Sequence, residues 1–333
     1  METARRRRIL SHGPLASFHL GVSPSICVDS ASRANLTLAA LKDGVRLLVY
    51  FAATIFFGTL LAPVLFWTAQ SLAAHGLFSF LGNFDFEIFF YRALLLAAVL
   101  LLWPLFRSIR LCNLEDLALR RNGHWSRDLA AGFFLAALPL LCCGALLLAL
   151  HIFSPRLAIN WFSLTKVIGA SIAAPLIEEA FFRGLILGIL LRSGRTNMSI
   201  FITSALFAVV HFLKAPLHTS AVVTWTSGFN SIAHSFSQFS NPTMVAAGFT
   251  TLFVIGWILA DARVVTCSLW LSIGLHAGWI FSSSGFNKIA HREILALPWL
   301  GKNLLVGIVP LGVACLTWML MRGWLRYVGA RKV

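Results

Sequence analysis

Three ionisable side chains lie within stretches of the sequence that are otherwise apolar, and together they could activate a water molecule. Glu178 lies in the run Ile-Glu-Glu-Ala-Phe-Phe-Arg, His211 ends the run Phe-Ala-Val-Val-His, and His276 lies in Gly-Leu-His-Ala-Gly-Trp. Ionisable groups in apolar segments are costly to bury, so they indicate function by default. A carboxylate that accepts a proton, with imidazoles that assist it, is typical of general acid–base catalysis.

Glu178 and its neighbour Glu179 point in different directions if this segment is helical. Glu179 and Arg183 are four residues apart, so they share a helix face in the favourable acid-first order and can neutralise each other. Glu178 points about 100° away and has no partner on its own helix. We therefore expect Glu178 to be the reactive carboxylate and Glu179 and Arg183 to support it. Purely structural pairing of both acids is the alternative.

Each histidine has a structural interpretation beside the chemical one. Phe207 and His211 share a helix face, and a single histidine in a membrane span can simply be a hydrogen-bonded core residue. Gly274 and Gly278 flank His276 in a small-xxx-small pattern that lets another helix approach closely. Helix packing explains the two glycines but leaves His276 unexplained.

The three sites fall at a similar depth in the membrane that the sequence predicts. Glu178, His211 and His276 lie 11 to 14 residues from the inner ends of their spans. At about 1.5 Å per residue, this places them roughly 17 to 21 Å deep. One carboxylate and two imidazoles can therefore meet in one layer. They could activate a water molecule, or they could bind zinc, since two histidines and a glutamate form a known catalytic zinc set.

The composition indicates that these residues lie in a membrane. Of the 333 residues, 58% are hydrophobic and 12% are charged, and the mean hydropathy is +0.82. Such values exclude a soluble enzyme, a disordered chain and a collagen-like or disulfide-stapled secreted fold. The net charge of +15 fits the enrichment of Lys and Arg in cytoplasmic loops, so we expect no nucleic-acid partner. The six cysteines form no CxxC pair.

The hydrophobic pattern predicts an all-α, polytopic transmembrane helical bundle of about eight spans. An even number of spans places both termini on one side, and 19 Lys and Arg residues on that side against six on the other make it the cytoplasmic side. The predicted spans are residues 46–68, 88–106, 129–153, 163–192, 198–213, 244–260, 265–283 and 303–321.

Four regions follow from this pattern. Residues 1–45 are expected to be a disordered basic cytoplasmic tail, and 46–162 hold the first three spans. Residues 163–285 hold the chemistry, and 286–333 contain the last span and a basic cytoplasmic tail. The stretch 214–243 is too polar to span, so an interfacial or re-entrant helix is expected there.

At the residues that carry the chemistry, the sequence resembles the CPBP family of intramembrane proteases, which includes the eukaryotic CaaX prenyl endopeptidase and many bacterial homologues. Three family motifs occur in order on three separate spans: EExxxR, FxxxH and a histidine in a late span. The matching residues are Glu178, Glu179 and Arg183, then Phe207 and His211, then His276. The resemblance covers roughly residues 163–285.

The resemblance implies a mechanism and a set of roles. Glu178, assisted by His211, would deprotonate a water molecule for attack on a peptide carbonyl, and His276 would stabilise the oxyanion. Glu179 and Arg183 would hold the helix and orient Glu178. We favour a mechanism without a cofactor, because the chain has no HExxH pair; a zinc ion on Glu178, His211 and His276 is the alternative.

One position departs from the family pattern. Many members carry Asn or Asp four residues after the third-motif histidine, and this chain has Ile280 there. In the family, that Asn is thought to help the histidine hold the oxyanion. The nearby polar residues that could substitute for it are Ser282, Ser283 and Asn287.

The sequence therefore predicts an intramembrane endopeptidase that cuts a membrane-associated or lipidated peptide or protein. The expected partners are the lipid bilayer and that substrate, and the expected location is a bacterial inner membrane. Two other functions stay open at this point: a non-catalytic membrane scaffold or immunity-type protein, and a proton-coupled transporter. The transporter would be expected to carry an inverted repeat, and the sequence shows none.

Overall fold

The computed structural model is an all-α helical bundle, which confirms the predicted fold class. It describes residues 30–109, 117–119, 121–158, 160–212, 222–294, 297–301 and 303–330. Within these ranges the strands are β1 (Phe153–Pro155) and β2 (Ala290–Arg292), which pair antiparallel.

The helices follow the predicted order of spans. Helices α1 to α6 are Ser30–Ala74, Phe86–Ile109, Trp125–Ala149, Trp161–Glu179, Leu187–Leu191 and Thr196–Phe212. Helices α7 to α11 are Ser227–Phe236, Pro242–Met244, Thr250–Thr266, Trp270–Ile289 and Ile308–Ala330. Two π-helical segments, Ala180–Ile186 and Val245–Phe249, join α4 to α5 and α8 to α9. Short 3-10 helices cover Ser79–Asn83 and Ser237–Ser240.

Five helical segments among the described residues are long and apolar enough to cross a membrane. They are Leu41–Ala74, Phe86–Ile109, Trp125–Ala149, Pro242–Thr266 and Ile308–Gly329. Four more of the described helices lie within the predicted spans. Helix α6 is apolar but shorter, and α4, α5 and α10 do not meet the criteria of length and apolar composition. The protein is thus an integral membrane protein, and the helices that carry the two glutamates and His276 are not among these five segments.

The first helix begins earlier than we predicted. We expected a disordered tail up to residue 45, whereas α1 begins at Ser30. The stretch from Ser30 to residue 44 holds four Ala and three Leu, which are strong helix formers, and our prediction gave this propensity too little weight. The rest of the predicted tail, residues 1–29, lies outside the described residues.

Glycines bring α10 against α3, as the small-xxx-small pattern predicted. A Cβ atom at Gly274 would collide with the carbonyl oxygen of Leu129, and one at Gly278 would collide with that of Phe133. On the facing helix, a Cβ at Gly132 would contact the backbone of Leu271 just as closely. The two backbones are therefore in direct contact, which fixes the helix that carries His276.

The polar stretch 214–243 contains α7, while residues 213–221 lie outside the described residues. Helix α7 packs against the middle of α1, because a Cβ at Gly228 would collide with the backbone of Thr59. Trp225, just before α7, packs edge-on against Trp67 of α1. With 10 residues, α7 is too short to span a membrane by itself.

Candidate active site

The two glutamates lie where α4 ends and the π-helical segment begins. Glu178 and Glu179 are the last two residues of α4, and Arg183 is in the middle of Ala180–Ile186. Single π-helical turns are rare and occur frequently at functional sites, because they widen the helix and redirect its side chains. The arginine of the EExxxR pattern therefore lies on irregular backbone, directly after the two acids that end α4.

Glu178 and His211 form the open part of the site. The Oε2 atom of Glu178 lies 3.0 Å from Nε2 of His211, and the two side chains are 30% and 28% exposed. The Nδ1 atom of His211 lies 2.9 Å from the carbonyl oxygen of Phe207, which can only accept, so Nδ1 carries a proton. A proton on either Nε2 or Oε2 would complete the hydrogen bond between His211 and Glu178.

His276 approaches the same carboxylate from α10. Its Nε2 atom lies 3.7 Å from Oε2 of Glu178, and its Nδ1 atom lies 2.8 Å from Oε1 of Glu179. Because a carboxylate accepts, Nδ1 of His276 donates to Glu179, and this fixes the ring orientation. Glu178, His211 and His276 thus come together around one oxygen atom, from three separate helices.

Glu179 and Arg183 form the enclosed part of the site, and both side chains are fully buried. The guanidinium of Arg183 donates to Oε1 of Glu179 at 2.8 Å and to the carbonyl oxygen of Gly256 at 3.1 Å. A buried carboxylate is costly unless it is paired and hydrogen-bonded, and Oε1 meets both conditions through Arg183 and His276. Among the described residues, Oε2 of Glu179 and Nε of Arg183 have no hydrogen-bond partner.

Phe207 packs between the two parts of the site. Its ring centroid lies 4.4 Å from the guanidinium carbon of Arg183 and 4.1 Å from the ring of His211. It also meets Phe182 edge-on at 5.2 Å and His276 at 6.0 Å. Phe207 therefore lies between the buried Arg183 guanidinium and the partly exposed His211 imidazole, and its ring packs against that of His211.

The contacts of Glu179 differ from those that the resemblance implied. Glu179 and Arg183 were expected to orient Glu178, but Glu179 holds His276 instead. Glu178, which has no partner on its own helix, has His211 as its partner. A partner on another helix cannot be recognised from the spacing of residues along a single helix.

Two backbone acceptors of the site were not predicted. The carbonyl of Phe207 is the i−4 acceptor for His211, and helical spacing could have indicated it. The carbonyl of Gly256, on α9, has no signal in the sequence. It is accessible because α9 approaches α6 closely: a Cβ at Gly256 would lie 3.1 Å from Cα of Ser204.

The alternative zinc site would use the same three side chains. Within the described part of the chain, no three His, Cys, Asp or Glu side chains are arranged to hold a metal ion. The atoms that would bind zinc, Nε2 of His211 and Oε2 of Glu178, are in direct hydrogen-bond contact with each other. Zinc on Glu178, His211 and His276 therefore stays the alternative to a mechanism without a cofactor.

The substitutes considered for the missing Asn or Asp have different surroundings. Ile280 is half-buried one turn after His276. Ser282 is buried, and its hydroxyl lies 3.4 Å from the carbonyl oxygen of Ala137 on α3, so it points away from the glutamates. Ser283 is also buried and Asn287 is half-buried, and no contact ties either side chain to the site.

Residues 159–282 match the family model described as type II CAAX prenyl endopeptidase Rce1-like. This part of the chain is an Rce1-like domain. The resemblance to the CPBP family is thereby confirmed. The domain covers a little over a third of the 333 residues and contains Glu178, His211 and His276. No curated protein and no solved structure matches the chain.

The Rce1-like domain supports a membrane-embedded endopeptidase activity of the CAAX type in general. Its first residues precede α4, and its last residues lie in α10. The domain thus includes the three helices that supply the Glu178, His211 and His276 side chains, together with α9, which supplies the Gly256 carbonyl.

Proposed function

We propose that the protein is an intramembrane endopeptidase in which Glu178 activates the attacking water molecule. The observation that carries this proposal is the convergence of two imidazole Nε2 atoms on one exposed carboxylate oxygen, at 3.0 and 3.7 Å. A water molecule that donates to Glu178 loses a proton to the carboxylate as its oxygen attacks the peptide carbonyl carbon. The proton then passes to the leaving amine nitrogen as the C–N bond breaks.

His211 is the proton-sharing partner of Glu178. Because Phe207 fixes the proton on Nδ1, only Nε2 of His211 can exchange a proton with the carboxylate. When the shared proton is on His211, Glu178 is ionised. The ionised form of Glu178 is the one that accepts a proton from water. His211 therefore sets the protonation state of the base rather than attacking the substrate.

His276 is the oxyanion donor, and Glu179 is its positioning residue. The carboxylate of Glu179 accepts from Nδ1 of His276 and holds the ring with Nε2 directed towards Glu178, where an Nε2–H can donate to the oxyanion. A donor aimed at the developing oxyanion stabilises the tetrahedral intermediate more than the ground state. Arg183 neutralises Glu179, so the His276 ring keeps this orientation without an uncompensated buried charge.

The substrate class follows from the location of the site. Glu178 and His211 are partly exposed within a membrane-embedded bundle, so the peptide that reaches them is membrane-associated or lipidated. We place the enzyme in a bacterial inner membrane with both termini cytoplasmic. The proposed mechanism uses no cofactor, because the direct contact between Glu178 and His211 supplies the base without a metal ion.

The test compares three kinds of membrane, which carry the wild type, Glu178→Gln or Glu293→Gln. Each is given the same panel of lipidated and apolar fluorogenic peptides as substrates. Glu293 is an exposed carboxylate paired with His291, so it serves as the matched control. We expect Glu178→Gln to lower cleavage on the order of 10³-fold while Glu293→Gln cleaves normally. Equal cleavage by both variants would exclude Glu178 as the base.

A chelator arm tests the zinc alternative on the same panel. We expect unchanged cleavage by the wild type after treatment with a chelator. Loss of cleavage with the chelator and recovery on adding zinc would instead assign Glu178, His211 and His276 to a metal. Processing in cells that survives both Glu178→Gln and His211→Ala would favour the scaffold function.

A further inference from the structure

Away from the active site, a cavity lies between α1, α5 and α6. Its volume is about 660 Å³, and apolar side chains form most of its walls. Leu48 on α1 and Ile202 on α6 line it and are 71% and 42% exposed, so the cavity is an open groove. Its floor includes Ile186, which is fully enclosed at the end of the π-helical segment. We call this cavity the α1–α6 groove.

Basic side chains surround one end of the α1–α6 groove. The two stretches that line it, 41–51 and 186–206, hold four basic residues and one acidic residue. Arg46 and Arg192 share the single carboxylate of Asp43, at 2.7 and 3.0 Å. Those four basic residues are Lys42, Arg46, Arg192 and Arg195.

Two of the four basic residues have no acidic partner among the described residues. Lys42 and Arg195 are exposed and, within the described part of the chain, form no ion pair. Arg195 itself lines the groove, where the turn between α5 and α6 ends. An apolar groove with a cation at its mouth matches a molecule with an apolar tail and an anionic head.

We propose that the α1–α6 groove binds one anionic phospholipid. Its acyl chain lies along Leu48 and Ile202, and its phosphate contacts Arg195. Basic pockets between membrane helices bind anionic lipid head groups in this way. The N-terminal stretch is a poor occupant because Arg5, Arg6, Arg7 and Arg8 would add positive charge to a mouth that is already basic.

The groove offers two independent ways to remove the lipid. Arg195→Gln removes the cation but keeps a polar side chain of similar reach. Gly44→Leu fills the groove, because Gly44 lines it and a Cβ there meets open space, so the protein does not have to shift. The matched controls are Arg326→Gln on exposed α11 surface and Gly312→Leu, where a Cβ also meets open space.

The measurement is native mass spectrometry of the full-length protein titrated with dioleoyl phosphatidylglycerol or dioleoyl phosphatidylcholine. We expect phosphatidylglycerol to bind more tightly, Arg195→Gln to weaken it about fivefold and Gly44→Leu to weaken both lipids. Both controls should bind like the wild type. Equal affinities for the two lipids, or equal effects of Arg195→Gln and Arg326→Gln, would overturn the proposal.

A photoreactive diazirine residue at position 202 identifies the occupant directly in membranes. A mass increment of one phosphatidylglycerol on that residue supports the proposal. A crosslink to residues 1–29 of the same chain, or to an added lipidated peptide, would overturn it by assigning the groove to another occupant. Neither readout depends on peptide cleavage, so the lipid site stands or fails separately from the proposed protease.

Discussion

Glu178 and Glu179 are neighbours in the sequence, but their surroundings are opposite. Glu178 is 30% exposed and contacts His211, whereas Glu179 is fully buried and contacts Arg183 and His276. The open part of the site can exchange a proton with water or substrate. The enclosed part holds a fixed set of charges. The comparison shows how one dipeptide can supply both a reactive group and its support.

The same contrast explains why each part has its own histidine. The Nδ1 atom of His211 contacts a backbone carbonyl of its own helix, so its Nε2 remains available to Glu178. His276 is anchored through the buried carboxylate, so its ring orientation depends on Glu179 and Arg183. Substitutions in the two parts should therefore have different effects. Those in the open part should lower the rate of cleavage, and those in the enclosed part should lower stability and misalign His276.

Replacing Arg183 by methionine should produce the largest loss of stability. The change leaves Glu179 as an uncompensated buried carboxylate, and breaking a buried pair typically costs about 3–5 kcal/mol of unfolding free energy. Thermal unfolding of the detergent-solubilised protein measures the effect. Adding Glu179→Gln to the same chain should recover part of the loss. An unchanged melting temperature for Arg183→Met would contradict the enclosed ion pair.

Replacing His276 by alanine should lower kcat roughly 10²- to 10³-fold with little change in KM, because it removes a donor that acts on the transition state. Peptide cleavage measured over a range of substrate concentrations separates the two parameters. The melting temperature should fall less than in Arg183→Met. A pure increase in KM would assign His276 to substrate binding instead.

Phe207→Leu should weaken both parts of the site moderately. The ring covers the Arg183 guanidinium at 4.4 Å, and a desolvated cation–π contact contributes about 2 kcal/mol. It also supports His211, so cleavage should fall together with stability. Phe201→Leu is the control, because Phe201 is on the exposed face of the same helix. Equal melting temperatures for the two variants would argue against the contact with Arg183.

Ile280→Asn should have the smallest effect, and it should raise activity where the other substitutions lower activity or stability. It restores the residue that many CPBP members carry one turn after the third-motif histidine, and so adds an oxyanion donor beside His276. We expect kcat to rise by roughly tenfold or less, with no gain when His276 is alanine. A gain that persists without His276 would show that the amide acts elsewhere.

The three motifs could be read from the sequence, because each depends only on residue types at fixed helical spacing. Glu179 and Arg183 pair at i, i+4 as predicted, and Gly274 and Gly278 admit α3 as predicted. The hydrophobic segment lengths predicted eight spans, and five of the described helical segments are long and apolar enough to cross a membrane. The same lengths predicted that Glu178, His211 and His276 lie at one depth, and their side chains meet in the structure. The start of α1 at Ser30 was missed, because the prediction began the first helix only at residue 46, where the strongly apolar residues begin.

The sequence by itself determined an all-α membrane protein with an Rce1-like domain and a small set of candidate groups, because apolar length and local spacing are properties of single segments. Only the tertiary structure decided that Glu179 contacts His276, that Glu178 contacts His211 and that Gly256 offers its carbonyl to Arg183. These contacts join residues 33, 73 and 97 positions apart. Which groups meet across helices depends on helix rotation and close packing, and neither follows from the periodicity of one helix.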